Sequence, residues 1–456
     1  MNKKSIIAIA VAVICIIAGG IGYPMVKGYM IKKDPVNYLL YASTQNNSNA
    51  VDASMKGTFS MDDEALNQMT AYMSSDPEAM STFVKGIVEE LNFDGRVKFG
   101  ADLDNNKIDF YENIGIQYGQ SKLLSLELGY IDEQLFYSMP EVYSKAFAMT
   151  KSELFDLIKE TQDIDLSQVK WESYLDLLKM EKDPDYQAIL KDKAKYEEII
   201  RLFLADLKAN GKTDVTLENG TVLKCDLLET DISFKEILDL YVQLFKTVKE
   251  DQNVKTLVKK KALAALDIAL ETEDYKLMML EETDVKDAIE SINTDFDTKW
   301  NEMMDELIKT YEEIQSDATL AQDVDIKYHM AFAIDNKYNL RQYQMKANTN
   351  GILVDETVIY NAYGDDVKFD ETLAAEETVS VKDMILDPDY METVTEDVIS
   401  KGLSAFLSSD AFVATVNDIK EKAAVLPAEE SQQIIESLDY VLNNQEMIIN
   451  MMLGQY

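Results

Sequence analysis

His329 is the only histidine of the 456-residue chain. One imidazole cannot build a histidine-ligated zinc centre or an HExxH helix. It could serve alone as a general base, but it stands between Tyr328 and Met330 in an alternating stretch. That places it on the polar side of a strand beside Lys327, as an ordinary surface histidine. Cys225 is the second single-residue candidate. Its neighbours Lys224 and Asp226 point to the opposite face, so no base adjoins the thiol, and a small buried core cysteine is expected. Cys15, the only other cysteine, lies in an apolar run near the N-terminus; the two are not expected to pair, so there is no disulfide framework. No Walker loop, GxGxxG or CxxC occurs.

Acids offer the remaining chemistry. Asp102, Asp104, Asn106 and Glu112 follow the opening of a calcium-binding EF-hand loop. That loop needs glycine at its sixth position and a bidentate acid at its twelfth, where this chain has Lys107 and Asn113. A hairpin turn is the expected structure. The 83 acids make an Asp/Glu-pair hydrolase conceivable, but no pair stands out by its context. The 24 tyrosines are scattered and form no stripe that would mark a sugar platform. The sequence thus designates no catalytic, cofactor-binding or metal-ligating residue, and no cofactor.

Net charge is −39, from 44 Lys+Arg against 83 Asp+Glu. Such a field repels phosphate backbones, which argues against nucleic-acid binding. It also disfavours anionic lipid and favours basic partners. With 46% hydrophobic residues the chain can bury a core. Arginine occurs only as Arg96, Arg201 and Arg341, beside abundant lysine, as an AT-rich genome would give.

The address is the clearest reading. Ser5 to Gly22 carry no charged side chain and follow Lys3 and Lys4. About 17–20 apolar residues suffice to cross a bilayer. The basic flank and very short N-terminal tail favour an N-in anchor with the bulk exported, although Lys27, Lys32 and Lys33 follow on the other side. A cleaved signal is the rival, since Ala18/Gly20 and Gly20/Gly22 supply small residues for cleavage. A lipoprotein anchor is rejected because Ile14 precedes Cys15. The expected location is the cell membrane, single-pass through residues 5–22, with the body extracytoplasmic; the alternative is secretion after cleavage.

The elements that would position any site follow from punctuation and periodicity. Asp34-Pro35, Asp76-Pro77, Asp183-Pro184 and Asp387-Pro388 read as helix starts, with aspartate as cap and proline in the first turn. Alternation marks strands at Ala53–Met61, Val97–Leu103, Ile108–Ile114, Leu124–Tyr130 and Leu135–Met139, with Pro140 ending that meander. A second group, Val215–Glu229, hinges on Asn219-Gly220, read as a type I′ turn. A third runs from Val324 through Ile334 and Arg341–Ala347 to Thr357–Tyr363. Helices fill Asp63–Leu91, Lys151–Gly211 (with Leu202 in its apolar stripe), Phe234–Val248, Val254–Asp317 and most of residues 390–452. The fold class is therefore α+β: a curved antiparallel sheet covered by helices, a helical C-terminal region and one N-terminal transmembrane helix. The expected organisation is an anchor or signal over 1–33, an α+β core with helical insertions over 34–375, and a helical region over 376–456 packed on that core.

The segment LELGYIDEQLFYSMPEVYSKAFAMTK, with a strand, an acidic turn, and a proline ahead of a helix, resembles exported LolA/LppX-like carriers. It also resembles uncharacterised membrane-anchored proteins of clostridia-type bacteria, as does Ala53–Met61. The resemblance implies a curved sheet around an apolar cavity that holds lipid or acyl chains. It carries over no functional residue, and this chain is longer than the small carriers and lacks their lipobox. The expected function is non-catalytic binding of a lipid, peptide or protein partner at the cell envelope. The alternatives are an acid-pair hydrolase, marked by facing carboxylates with shifted pKa values, and an assembly scaffold, marked by a large exposed apolar patch. Protease added to intact cells is expected to remove the C-terminal portion of the chain. Its survival there, with full-length chain in the cytosol, would overturn the export reading.

Overall fold

The computed structural model describes residues 32–45, 49–180, 183–278, 280–316, 326–349, 351–369 and 377–453. The chain enters through α1 (Pro35–Gln45) and β1 (Ala50–Met61), then α2 (Asp63–Thr70) and α3 (Pro77–Val88). Five strands follow in succession: β2 (Leu91–Asp102), β3 (Lys107–Tyr118), β4 (Ser121–Ile131), β5 (Gln134–Met139) and β6 (Tyr143–Thr150). Next come α4 (Lys151–Gln162), α5 (Trp171–Leu178), α6 (Pro184–Lys191) and α7 (Ala194–Phe203). The hairpin β7 (Lys208–Thr216) and β8 (Val222–Ser233) leads to α8 (Phe234–Glu250), α9 (Gln252–Thr272) and α10 (Glu282–Ser316). Then β9 (Lys327–Ile334), β10 (Leu340–Thr349), β11 (Ile352–Tyr363) and the short β12 (Thr378–Ser380) complete the strands. The C-terminal helices are α11 (Val381–Leu386), α12 (Pro388–Asp397), α13 (Leu403–Ser408), α14 (Asp410–Ala423), α15 (Ala428–Asn443) and α16 (Gln445–Met452).

All twelve strands lie in one open sheet, ordered β12-β6-β5-β4-β3-β2-β1-β11-β10-β9-β8-β7. Every pairing is antiparallel except β12 with β6. Two meanders, β1–β6 and β7–β11, thus meet where β1 pairs with β11. Neither edge offers a long flat ladder. β12 has three residues, and β7 is bulged between Ala209 and Lys212 and carries Lys208 and Lys212.

All four Asp-Pro pairs begin helices. Asp34 accepts the Val36 and Asn37 amides, Asp76 that of Ala79, Asp183 that of Asp185, and Asp387 those of Asp389 and Tyr390. Apolar burial is divided among several centres. α1 joins Leu204 and Leu207 over Leu228, Ile232 and Ile334 of the sheet. A helical bundle built from α6 to α10 closes around Tyr196, Leu257, Trp300 and Met304. Met80 and Phe83 of α3 pack on Ala423 and Leu426, while Phe147 of β6 packs with Val379 and Val394.

Tyrosine hydroxyls fasten helices to their supports. Tyr38 of α1 donates to Asp226 of β8 (3.0 Å), Tyr118 of β3 to Asp418 of α14 (2.6 Å), and Tyr143 of β6 to Asp397 of α12 (2.9 Å). Within the bundle Tyr196 donates to Asp251 (2.7 Å), which also caps α9 and pairs with Lys195. Burial together with the carboxylate partner pushes the Tyr143 phenol up to about 12 and raises Tyr38, Tyr118 and Tyr196 as well.

Several expectations need correction. Pro140 does not end the first meander: β6 follows it, and the helix begins only at Lys151. β6 is buried at Ala146 through Met149, so the polar-apolar alternation that reveals a half-covered strand is missing. The proline-then-helix order behind the carrier resemblance is therefore absent at this point. Residues 208–211 belong to β7, not to a helical block; Gly211, at φ 80°, lies in the bulge. β2 begins at Leu91 and β11 at Ile352, both earlier than the alternation suggested. Asn219-Gly220 is not a type I′ turn, since only Gly220 has positive φ (81°). Asn219 spends its side chain on the Thr221 amide, and the Gly220 amide closes on the Leu217 carbonyl. Leu202 is exposed rather than part of the apolar stripe. Residues 5–22 and Val324 lie outside the described residues, among which no helix is long and apolar enough to cross a membrane.

The β9–β10 turn shows how one buried acid holds register. Asp335 accepts the Lys337 and Asn339 amides, the Asn339 side chain and Arg341 Nε (2.8 Å). Burial alone would raise this carboxyl, but the Arg341 and Asn339 bonds outweigh it and hold it below 3.8. A depressed folded-state value gives stability that is full above the unfolded value and is lost as pH falls through the folded one. Asp335→Ala leaves the half-buried Arg341 guanidinium without its carboxylate and is expected to cost about 3 kcal/mol at pH 7. That difference should shrink as urea melts are taken below pH 4; a constant difference would refute the assignment.

Candidate functional site

Residues opposed across antiparallel strands share a face, so the register sorts the sheet into two surfaces. On the first, Phe59 sits by Val354, Phe93 by Ile116, Phe99 by Phe110, Ile114 by Leu126, Leu128 by Tyr137 and Tyr130 by Leu135. The same face continues through Met55, Val358, Tyr343 and Phe332 to Leu228, where α1 covers it. On the second, Asp52 sits by Lys98, Ser54 by Arg96, Lys56 by Asp94, Lys346 by Asp355 and His329 by both Lys346 and Asp231.

The first face is apolar and only partly covered. Phe59, Phe99, Ile114, Ile116, Leu126, Leu128, Leu135 and Tyr137 are each 36–47% exposed. They form one patch across β1–β5, because the aligned strands place them side by side. α14 stands at its upper end, packed on β4 and holding the Tyr118 hydroxyl. Burial raises the phenols of Tyr130 and Tyr137 beside the patch, and of Tyr343 and Tyr360 farther along the same face. A solvated sheet face would alternate to polar residues here. Scattered apolar side chains are ordinary on a surface; a contiguous set of this kind is a candidate interaction surface.

The second face is polar and internally bonded. Arg96 makes two bonds to Asp52 (3.0 and 2.8 Å), and Asn361 reaches Ser54 (2.7 Å). Lys98, almost fully buried, donates to the Lys368 carbonyl. Glu127 accepts from Asn113 and Ser138, and Asp355 from Lys346 and Gln344. The tip of the β7–β8 hairpin also touches this face: Ser54 donates to Glu218, and the Glu218 amide to Asn361. Hollows of about 760 and 360 Å³ open on it, the larger bordered by His329, Lys346 and Asp355.

The residues weighed from the sequence fall apart from one another. His329 lies on the polar face, partly exposed, with Nδ1 2.8 Å from Asp231. Cys225 is fully buried with Val215 and Ala333, and burial pushes its thiol up to about 11, away from nucleophilic use. Asp102 bonds the amide and side chain of Asn105 in the β2–β3 turn, where Asn106 takes a left-handed φ of 54°. The chain there forms the hairpin. Every carboxyl with a resolved shift among the described residues, including Asp183, Asp226, Asp251, Asp335 and Asp418, is shifted downward. A general acid would need the opposite shift. What sequence reasoning missed is the joining of the apolar stripes. Each strand's alternation displayed its own stripe, but only the strand order makes them one surface. No protein-family model matches this chain, and no curated protein matches it either.

If the apolar face is a binding surface rather than a folding core, charge is tolerated there. Leu126→Asp and Ile116→Asp are expected to lower stability by about 1 kcal/mol or less, as for exposed positions. A loss of several kcal/mol in denaturant melts would make this face part of the core.

Proposed function

We propose that this chain is a non-catalytic, membrane-tethered binding protein of the cell envelope, whose body lies outside the membrane and docks a partner protein on the apolar face of its sheet. The observation that carries the reading is the contiguous half-exposed patch from Phe59 to Tyr137. The partner's chemistry follows from charge. The patch holds few ionised groups, while the molecule around it carries −39. An amphipathic segment with an apolar stripe and Lys or Arg on its flanks complements both features.

Curvature supports the same use. A flat sheet would keep β8 about 19 Å from β1 at normal strand spacing. The hairpin tip nevertheless bonds Ser54 and Asn361, so this end of the sheet curls with its polar side inward. The apolar side is then outward; α1 covers it over β8 and β9, while the stretch across β1–β5 stays half-exposed, which favours docking over an enclosed ligand cavity. A second reading, uptake of a neutral lipid on the same face, rests on that half-exposed patch alone, since the proline-then-helix order behind the carrier resemblance is absent. An acid-pair hydrolase is less well supported, given the downward carboxyl shifts.

Residues 32–456 are expected to bind a hydrophobic fluorescent probe saturably. Leu126→Asp should weaken that binding about tenfold or more, a loss of roughly 1.4 kcal/mol. Displacement of the probe by a basic amphipathic peptide supports docking, displacement only by neutral lipid supports the carrier, and a folded protein that takes up no probe removes both.

A further inference from the structure

Across β11 and β1 to β5, the register puts only two ionised side chains on the apolar face of the strands. Glu112 of β3 stands between Val97 and Leu128, and Glu356 of β11 between Gly57 and Met345. Both are half-buried. Along its own strand Glu112 has Phe110 and Ile114 on either side. Among the described residues neither carboxylate has a hydrogen-bond or ion-pair partner. Acids on the polar face are met differently: Asp52 holds Arg96, Asp355 holds Lys346 and Asp231 holds His329.

While water covers the face, the two carboxylates are solvated. A partner seated on the patch removes that water. A carboxylate then buried without a cation opposes docking, whereas a Lys or Arg brought against it restores the balance. The two glutamates thus select among apolar partners by penalising those that lack cations at the matching places.

Aromatic surroundings narrow the choice at Glu356. Gly57 has no side chain, and Phe93 fills its place: a Cβ there would stand 2.0 Å from the ring. Phe59 packs on that ring, with centroids 5.6 Å apart. On the other flank burial, and then the Glu356 charge, raise the Tyr343 phenol. A cation that pairs with Glu356 also meets aromatic rings, which suits the flat guanidinium of arginine better than the lysine ammonium.

Position sets the spacing. Glu356, Gly57, Phe93 and Ile116 form one row across four strands, and Glu112 lies four residues along β3 from Ile116. Three strand spacings across and four residues along put the carboxylates about 20 Å apart. On an α-helix, residues roughly fourteen apart lie on the same side, about four turns or 21 Å from each other. We propose that the partner docked on the apolar face is an amphipathic helix carrying two cations about four turns apart, an arginine for Glu356 and a second basic side chain for Glu112. The inference rests on the docking reading of that face and names what selects the partner.

The test uses the full chain in nanodiscs of neutral phosphatidylcholine, with the signal of empty discs subtracted. Three fluorescent helical peptides share one leucine stripe. The first carries arginines roughly fourteen residues apart, the second carries the same two arginines at half that spacing, and the third has glutamine in their place. By anisotropy the first should bind about tenfold or more tightly than the third, with the second clearly weaker than the first. Glu112→Gln and Glu356→Gln together should erase the preference for the first peptide. The melting temperature should not fall, because neither carboxylate has a partner in the fold to lose. Equal affinity for the first and third peptides overturns the proposal and leaves docking intact. So does indifference to the spacing, or a preference that survives both substitutions. Binding of none of the three, to either the wild-type chain or the double variant, removes the docking reading itself and this inference with it.

Discussion

The pairing of β1 with β11 is the constraint on which the rest depends. It joins a strand near the start of the folded body to one made after most of the chain, setting Met55 against Val358 and Phe59 against Val354. Without it there are two separate meanders, each ending in an unpaired strand. With it, the helical blocks between them become insertions on a single twelve-stranded sheet. The closure entropy of so long a loop grows only slowly with length, so the arrangement is affordable in stability. Its cost falls on folding rate, because the joining contacts are among the least local in the chain.

A one-residue slip in that ladder would exchange the two faces along a whole meander. Hydrophobic patterning resists it: Val354 and Val358 would turn toward the side where Asp52, Arg96 and Lys98 form their bonds. The polar face therefore enforces register as much as the apolar one does. The tyrosine-to-aspartate bonds do a related job for the helices. Tyr118, Tyr143 and Tyr38 each present an apolar ring to the packing and a hydroxyl to a carboxylate on the partner element, which fixes the helix along its axis as well as against the sheet. In a chain with so many acids, phenols supply donors without adding to charge repulsion.

The same excess of acid shapes what the two faces can meet. A strongly negative body approaches basic or neutral partners, and the apolar patch, poor in ionised groups, is where the repulsion is least. The polar face answers differently: its charges are largely paired across strands, as Lys346 is with Asp355 and Arg96 with Asp52.

Local chemistry was legible in the residues themselves. The four Asp-Pro caps, the α+β mixture, the helical C-terminal stretch, the hairpin at Asp102–Lys107 and the buried state of Cys225 each depend on a few neighbouring side chains, so the sequence alone determined them. It was silent on β6, whose burial on both sides erases alternation, and on β7, whose bulge breaks it. Only tertiary structure decided that the stripes of β1 to β5 adjoin and that Glu218 reaches across to Ser54. Those facts depend on strand order and curl, which arise from pairing between distant segments and leave no periodic mark in the chain.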